Sequence, residues 1–99
     1  MELRGKDRRF LRGLGVNLQA HIRISGGEVK DTHLDEIDAA LEKNELVKIK
    51  LIGSMAKDEK KALAENLAKK TDSELIQVVG SAILLYKENP QNRQIRIPK

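Results

Sequence analysis

The sequence predicts an α/β fold. It is a single compact domain with the order α-β-α-β-α-β-β, in which a four-stranded mixed sheet carries helices packed on it. Three observations lead there. Stretches with helical spacing of apolar residues alternate with short runs rich in isoleucine, leucine and valine. The last apolar run is split by Gly80-Ser81, which makes it an antiparallel hairpin. The chain has 99 residues, the size of one small domain. A domain of that size buries roughly 60–70% of its unfolded surface and needs no metal or disulfide staple.

The first helix is expected over Lys6–Leu14. At about 100° per residue, Phe10, Leu11 and Leu14 fall in one sector, joined after the turn by Leu18, while Arg8, Arg9 and Arg12 are read on the opposite side with Lys6 at the margin. Gly13 and Gly15 weaken the end of this helix. A strand follows over Ala20–Ile24, with Ile22 and Ile24 on one face and His21 and Arg23 on the other. After the turn Ser25-Gly26-Gly27-Glu28, a helix starts at Asp31 or Thr32, either of which can cap it, and runs to Asn44 with Leu34, Ile37, Ala40 and Leu41 inward. Leu46–Ile52 reads as a strand apolar on both faces, tempered by Lys48 and Lys50, which places both lysines on one sheet face near its edge. There they either contact phosphate or discourage edge-to-edge association. The third helix spans Lys57–Lys70 with Ala56, Ala62, Leu63 and Leu67 inward. Strands over Glu74–Val79 and Ala82–Lys87 complete the sheet, and the doubly apolar strands imply that much of it is covered on both sides. Residues 1–88 form the domain, and 89–99 a polar tail in which Ile95 and Ile97 alternate with polar neighbours as a short added strand.

Composition narrows the function. With no cysteine and only two histidines, thiolate chemistry and a histidine-rich zinc cage are excluded. No apolar run approaches a membrane span, and Met1-Glu2-Leu3-Arg4 is unlike a signal peptide, so a soluble cytoplasmic protein is expected. The net charge of +4 is unevenly placed. Residues 1–30 and 73–99 are basic on balance, whereas 31–72 are acidic on balance. A chain basic at both ends points to a polyanion, nucleic acid before membrane. With Phe10 and Tyr86 as the only aromatic residues, stacking of bases on several exposed rings is disfavoured.

Few residues have the arrangement that chemistry requires. The turn Ser25–Glu28 sits between a strand and a helix, where glycines allow close approach to phosphate, but it lacks the Gly-Lys-Ser/Thr of a nucleotide-binding loop. Asp35, Glu36 and Asp38 have no orienting histidine or nucleophile nearby in the pattern and read as a solvated helix face. His21 and His33 lack partners at metal or triad spacing. No catalytic residue, metal site, cofactor or small-molecule substrate is expected. Three exposed arginines on one helix are, taken alone, also a solvated face.

The opening Leu3-Arg4-Gly5-Lys6-Asp7-Arg8-Arg9-Phe10-Leu11-Arg12 resembles the start of CRM domains, the chloroplast RNA splicing and ribosome maturation domains that occur as free-standing YhbY-type proteins in bacteria. The similarity continues through Glu36–Glu42, Glu45–Lys50, Ser73–Gly80 and Ile83–Tyr86, in order and spacing. The resemblance implies a fold similar to the C-terminal domain of translation initiation factor three. It also implies RNA binding, to precursors of the large ribosomal subunit during ribosome assembly. In the family a G-x-x-G loop after the first strand contacts RNA together with nearby basic residues. An ungapped match puts that loop on Ser25-Gly26-Gly27-Glu28, with Ser25 and Glu28 in place of the outer glycines and Gly26 in place of a lysine. Glu28 repels phosphate, and the flanking Arg23 and Lys30 supply charge in its stead. The expected RNA contacts are therefore Lys6, Arg8, Arg9, Arg12, Arg23, Ser25, Gly26, Gly27, Glu28 and Lys30, with Lys48 extending the patch. The expected partners are ribosomal RNA or a pre-large-subunit particle, with ribosomal proteins beside it and no membrane. The alternative from another class is a protein-interaction adaptor that docks a ribosomal protein or assembly factor through the helix face and the tail.

Overall fold

The computed structural model describes residues 3–98. Its elements are α1 (Gly5–Gly15), β1 (Ile22–Ser25), α2 (Asp31–Asn44), β2 (Leu46–Ile52), α3 (Lys57–Lys70), β3 (Glu74–Val79) and β4 (Ala82–Tyr86). The bounds of α3, β2 and β3 are those expected from the sequence. β1 starts two residues later than expected, because pairing begins only where Ile22 meets Ile49 of β2.

The strands form one mixed sheet in the order β1-β2-β4-β3, with β1 and β2 parallel and the other pairs antiparallel. Since α2 connects β1 to β2 and α3 connects β2 to β3, both helices lie on one face of the sheet. There Ile37, Leu41, Ala64, Leu67 and Ala68 pack on Ile22, Ile24, Val47, Ile49, Leu51, Ile83 and Leu85. Against expectation, Ala62 and Ala56 are exposed, and α3 buries Ala64 and Ala68 instead. The two alanines flank Leu67 on the helical repeat, and their small side chains let the helix backbone approach the sheet. On the opposite face, α1 and the C-terminal tail cover Leu46, Ile76, Leu84 and Tyr86. A bulge between Leu75 and Gln77 lets β3 give Leu75 to the first core and Ile76 to the second.

None of the helices starts with a side-chain cap from the residue before it. In each, the third helical residue reaches back instead. Asp7 Oδ2 accepts from the Arg4 N–H at 2.9 Å, His33 Nδ1 from the Lys30 N–H at 3.0 Å, and Glu59 Oε1 from the Ala56 N–H at 3.0 Å. Neither Asp31 nor Thr32 is the cap of α2, because Asp31 is already inside the first turn. His33 thereby has a structural task, half of a capping box.

The tail forms no strand between Asn89 and Pro98. It folds back onto the α1 side of the sheet, where Ile95 and Ile97 pack on the second core. Glu45, fully buried between α2 and β2, anchors it: its carboxylate accepts from the N–H groups of Asn89 at 2.7 Å, Gln94 at 2.6 Å and Ile95 at 2.8 Å. Side chains alone could not forecast this, since the partners lie more than forty residues apart and are backbone groups.

Candidate nucleic-acid interface

Helix α1 lies on the sheet through Leu11, which is completely buried, and Gly15, which rests on Leu84. This seating sorts the basic residues. Arg9 and Lys6 point to solvent and Arg12 is partly covered. None of the three makes an ion pair or hydrogen bond with a described residue. Arg8 differs from the expectation that it shares their free face. Its Nη1 donates to the Leu75 carbonyl at 2.8 Å and its Nη2 reaches Glu74 Oε2 at 3.2 Å. The reason is helical geometry: Arg8 is three residues before Leu11, so it lies on the flank of the buried side and faces β3. Arg12, one turn further on, continues that flank toward the other end of β3.

The turn after β1 needs both its glycines. Gly26 has φ +66° and Gly27 φ +69°, and the Glu28 N–H donates to the Ser25 carbonyl at 3.4 Å, as in a type I′ turn. A side chain at either position would be strained. Sequence reading expects this turn to offer its N–H groups to phosphate, but two are already engaged: that of Glu28 within the turn and that of Gly26 with the Ile52 carbonyl at 3.1 Å. The Gly27 N–H alone of the three bonds to no described residue. Glu28 and Lys30 are exposed on the α2 side of the turn.

Beyond α1 the sheet is bare, a departure from the expected double cover. Helix α1 and the tail reach the end of the sheet marked by Leu46, Tyr86 and Ile76. The other end presents Arg23 and Ser25 from β1, Lys48, Lys50 and Ile52 from β2, and Ala82 from β4. Arg23 stands directly opposite Lys50 in the register. β2 is an interior strand, so its lysines do not guard an edge. Like charges placed opposite one another are unfavourable in a sheet, and an anion between them turns the repulsion into attraction. The sequence left open whether Lys50 contacts phosphate, because its pairing with Arg23 depends on a parallel register between distant segments. Next to it, His21 Nδ1 accepts from the Lys48 N–H at 3.3 Å. Burial lowers the His21 pKa from its ordinary value of 6.5, and the Lys48 backbone partly opposes this.

The basic face thus runs from α1 across the bare sheet to the glycine turn. A cleft of about 450 Å³ lies elsewhere, where Asp38, Glu42, Asp72 and Glu88 outnumber Lys70 and Lys87. Its charge is wrong for a polyanion. Among the described residues no group of three or more histidine or acidic side chains is placed to hold a metal ion. No described helix is long and apolar enough to cross a membrane.

A family model, the CRS1 / YhbY (CRM) domain, matches residues 3–87. The chain belongs to the CRM domain family. It is 38% identical over 96 residues to the "Probable RNA-binding protein YqeI" of Bacillus subtilis, covering 97% of this chain and 99% of that one. It is 27% identical over 94 residues to a Haemophilus influenzae protein named "RNA-binding protein", covering 95% and 93% of the two chains. Among solved structures it is similar to the Staphylococcus aureus protein SAV1595, described as "a putative RNA binding protein". That match has a TM-score of 0.84 and 39% identity, and covers 98% of this chain and all of the other. The CRM assignment accounts for the single compact α/β domain. It supports RNA as the class of partner, and the relatives carry names of RNA-binding proteins rather than enzymes.

Proposed function

We propose that this CRM domain is a non-catalytic, cytoplasmic RNA-binding module that engages ribosomal RNA or a large-subunit precursor during ribosome assembly. The observation that carries the reading is the set of cations on one side of the molecule that pair with no described residue: Lys6, Arg9 and Arg12 on α1, and Arg23 with Lys50 on the sheet. They take phosphate oxygens, the arginines as planar forks. The Ser25-Gly26-Gly27-Glu28 turn contributes the Gly27 N–H, and Lys30 offsets the charge of Glu28. Arg8 holds α1 against β3 and fixes the direction in which its neighbours point.

If about four phosphates are neutralised, affinity falls with roughly the third power of salt concentration, taking a slope near −0.7 per contact on single strands. The test is a salt titration of a structured large-subunit RNA fragment with the wild-type chain and with Arg9→Glu/Arg12→Glu. The double variant is expected to bind at least about tenfold more weakly and to lose roughly one to two units of salt slope. Unchanged RNA binding in the folded variant refutes the reading. Unchanged RNA binding together with lost association of a ribosomal protein supports the adaptor alternative instead, although the docked tail speaks against a free docking arm.

A further inference from the structure

Between the C-terminal end of α1 and the bare part of the sheet runs a groove of about 260 Å³. Its floor is Ala82 and Leu84, and its walls are Val16 and Val79, which are 73% and 58% exposed. Lys48 and Gln77 also line it, and no carboxylate does. The Gln77 side chain forms no hydrogen bond with a described residue, so its amide donors and acceptor remain available. Exposed aliphatic side chains gathered beside an unspent amide form a recognition surface rather than a packing remnant.

We infer that this groove seats an unpaired RNA base, with the phosphates on either side of it held by Arg12 and by the Arg23–Lys50 pair. The inference rests on the RNA-binding reading and adds the state of the RNA: a single-stranded or looped-out segment. Charge selects the occupant. A neutral apolar peptide side chain fits the walls but gains nothing from Lys48, which lines the groove, or from Lys50, opposite Ala82 in the register, whereas each base of a nucleic acid comes with a phosphate. Shape selects the state. An A-form duplex presents phosphates and hydroxyls along a shallow groove and keeps its bases stacked inside. A recessed aliphatic slot rewards only a base taken out of the stack. The amide of Gln77 can pair with the edge of that base, donating and accepting together. The scarcity of aromatic residues is consistent with this, because the apolar contact comes from valine, leucine and alanine methyls instead of rings.

The test compares a short mixed-sequence single-stranded RNA with the same RNA annealed to its complement, by fluorescence anisotropy at one salt concentration. The wild-type chain is expected to prefer the single strand. Ala82→Ile fills the groove without adding or removing a charge and is expected to weaken single-strand binding about tenfold, the scale of one lost base contact, while duplex binding and salt slope stay as they were. Gln77→Ala, at a half-buried position lining the groove, provides the second variant should Ala82→Ile fail to fold, and is expected to lose affinity for the single strand only. Equal or stronger binding of duplex, or single-strand binding untouched by the folded variants, overturns the inference while leaving RNA binding intact. Binding of neither form overturns both readings, and capture of an apolar peptide in the groove without RNA preference assigns it to a protein partner and overturns the inference as well.

Discussion

Replacing Glu45 by alanine removes one side chain and releases a whole segment. The carboxylate is completely buried and accepts three backbone N–H groups from the tail, at 2.6 to 2.8 Å. Hydrogen bonds to a charged group contribute about 1.5–3 kcal/mol each, but three bonds to one carboxylate do not add. The loss has a ceiling, because the tail can leave and hydrate its N–H groups instead of keeping them buried and unpaired. That ceiling is the docking free energy of the tail itself. Ile95 and Ile97 are partly buried, and at about 1.5–3 kcal/mol for full burial of such a side chain the pair contributes about 2–3 kcal/mol. Glu45→Ala is therefore expected to cost about 3 kcal/mol in urea denaturation. It should also speed amide exchange at Gln94 and Ile95 far more than in β2. Glu45→Gln keeps one acceptor oxygen and sets an NH₂ group against a backbone N–H, so about half that loss is expected. The decisive control is a chain ending at Glu88, in which the anchor has nothing to hold. There Glu45→Ala should cost under about 1 kcal/mol. An equal cost with and without the tail, or unchanged exchange at Gln94 and Ile95, would refute the clamp. Glu45 also has φ +65°, so part of its anchoring is spent holding a strained backbone, and neither substitution relieves that strain.

Two glycines of α1 should respond with opposite signs. At Gly15 a Cβ would stand 2.7 Å from Leu84 Cδ2, and overpacking there outweighs the gain in helix propensity, for a net loss of about 1 kcal/mol on Gly15→Ala. Gly13→Ala meets nothing within 4 Å and should gain about 0.5–1 kcal/mol; thermal denaturation of the pair checks both. Tyr86 gives an alkaline limit. Burial, then the Glu45 and Glu88 carboxylates, push its hydroxyl up from 10 to about 12 against the opposing pull of Arg93. The folded state thus holds the proton more tightly, and this contribution is complete below pH 10 and lost as pH rises toward 12. Tyr86→Phe should remove that slope from denaturation curves recorded across the range. His21 acts at the acid side. Its pKa is lowered by burial, so the unfolded chain takes the proton first and stability declines as pH falls below 6.5. His21→Asn should flatten the decline.

Periodicity carried much of this structure. The order of elements, the bounds of α3, β2 and β3, and the hairpin at Gly80-Ser81 follow from local spacing and turn chemistry. The burial of Leu11, Ile37 and Leu41 follows from it too. The errors share one cause. Reading Arg8 as free required knowing which side of α1 meets β3, and a wheel shows sectors without showing what stands beside them. Likewise Ala62 and Ala64 are the same residue type two positions apart, and only the tilt of α3 on the sheet decides which of them is covered. The start of α1 was placed one residue late and α2 was capped by the wrong residue, because the third residue, not the first, satisfies the free N–H.

The amino-acid sequence alone determined the α/β architecture, the basic ends of the chain, the paired glycines of the turn and the likeness to CRM domains, because propensity, periodicity and charge are properties of neighbours along the chain. The tertiary structure decided which cations pair with no described residue, that Arg23 meets Lys50, that half of one sheet face stays bare, and that Glu45 ties down the tail. Each of these joins groups far apart in sequence, and their meeting depends on strand register and helix seating, which come from the packing of the whole core.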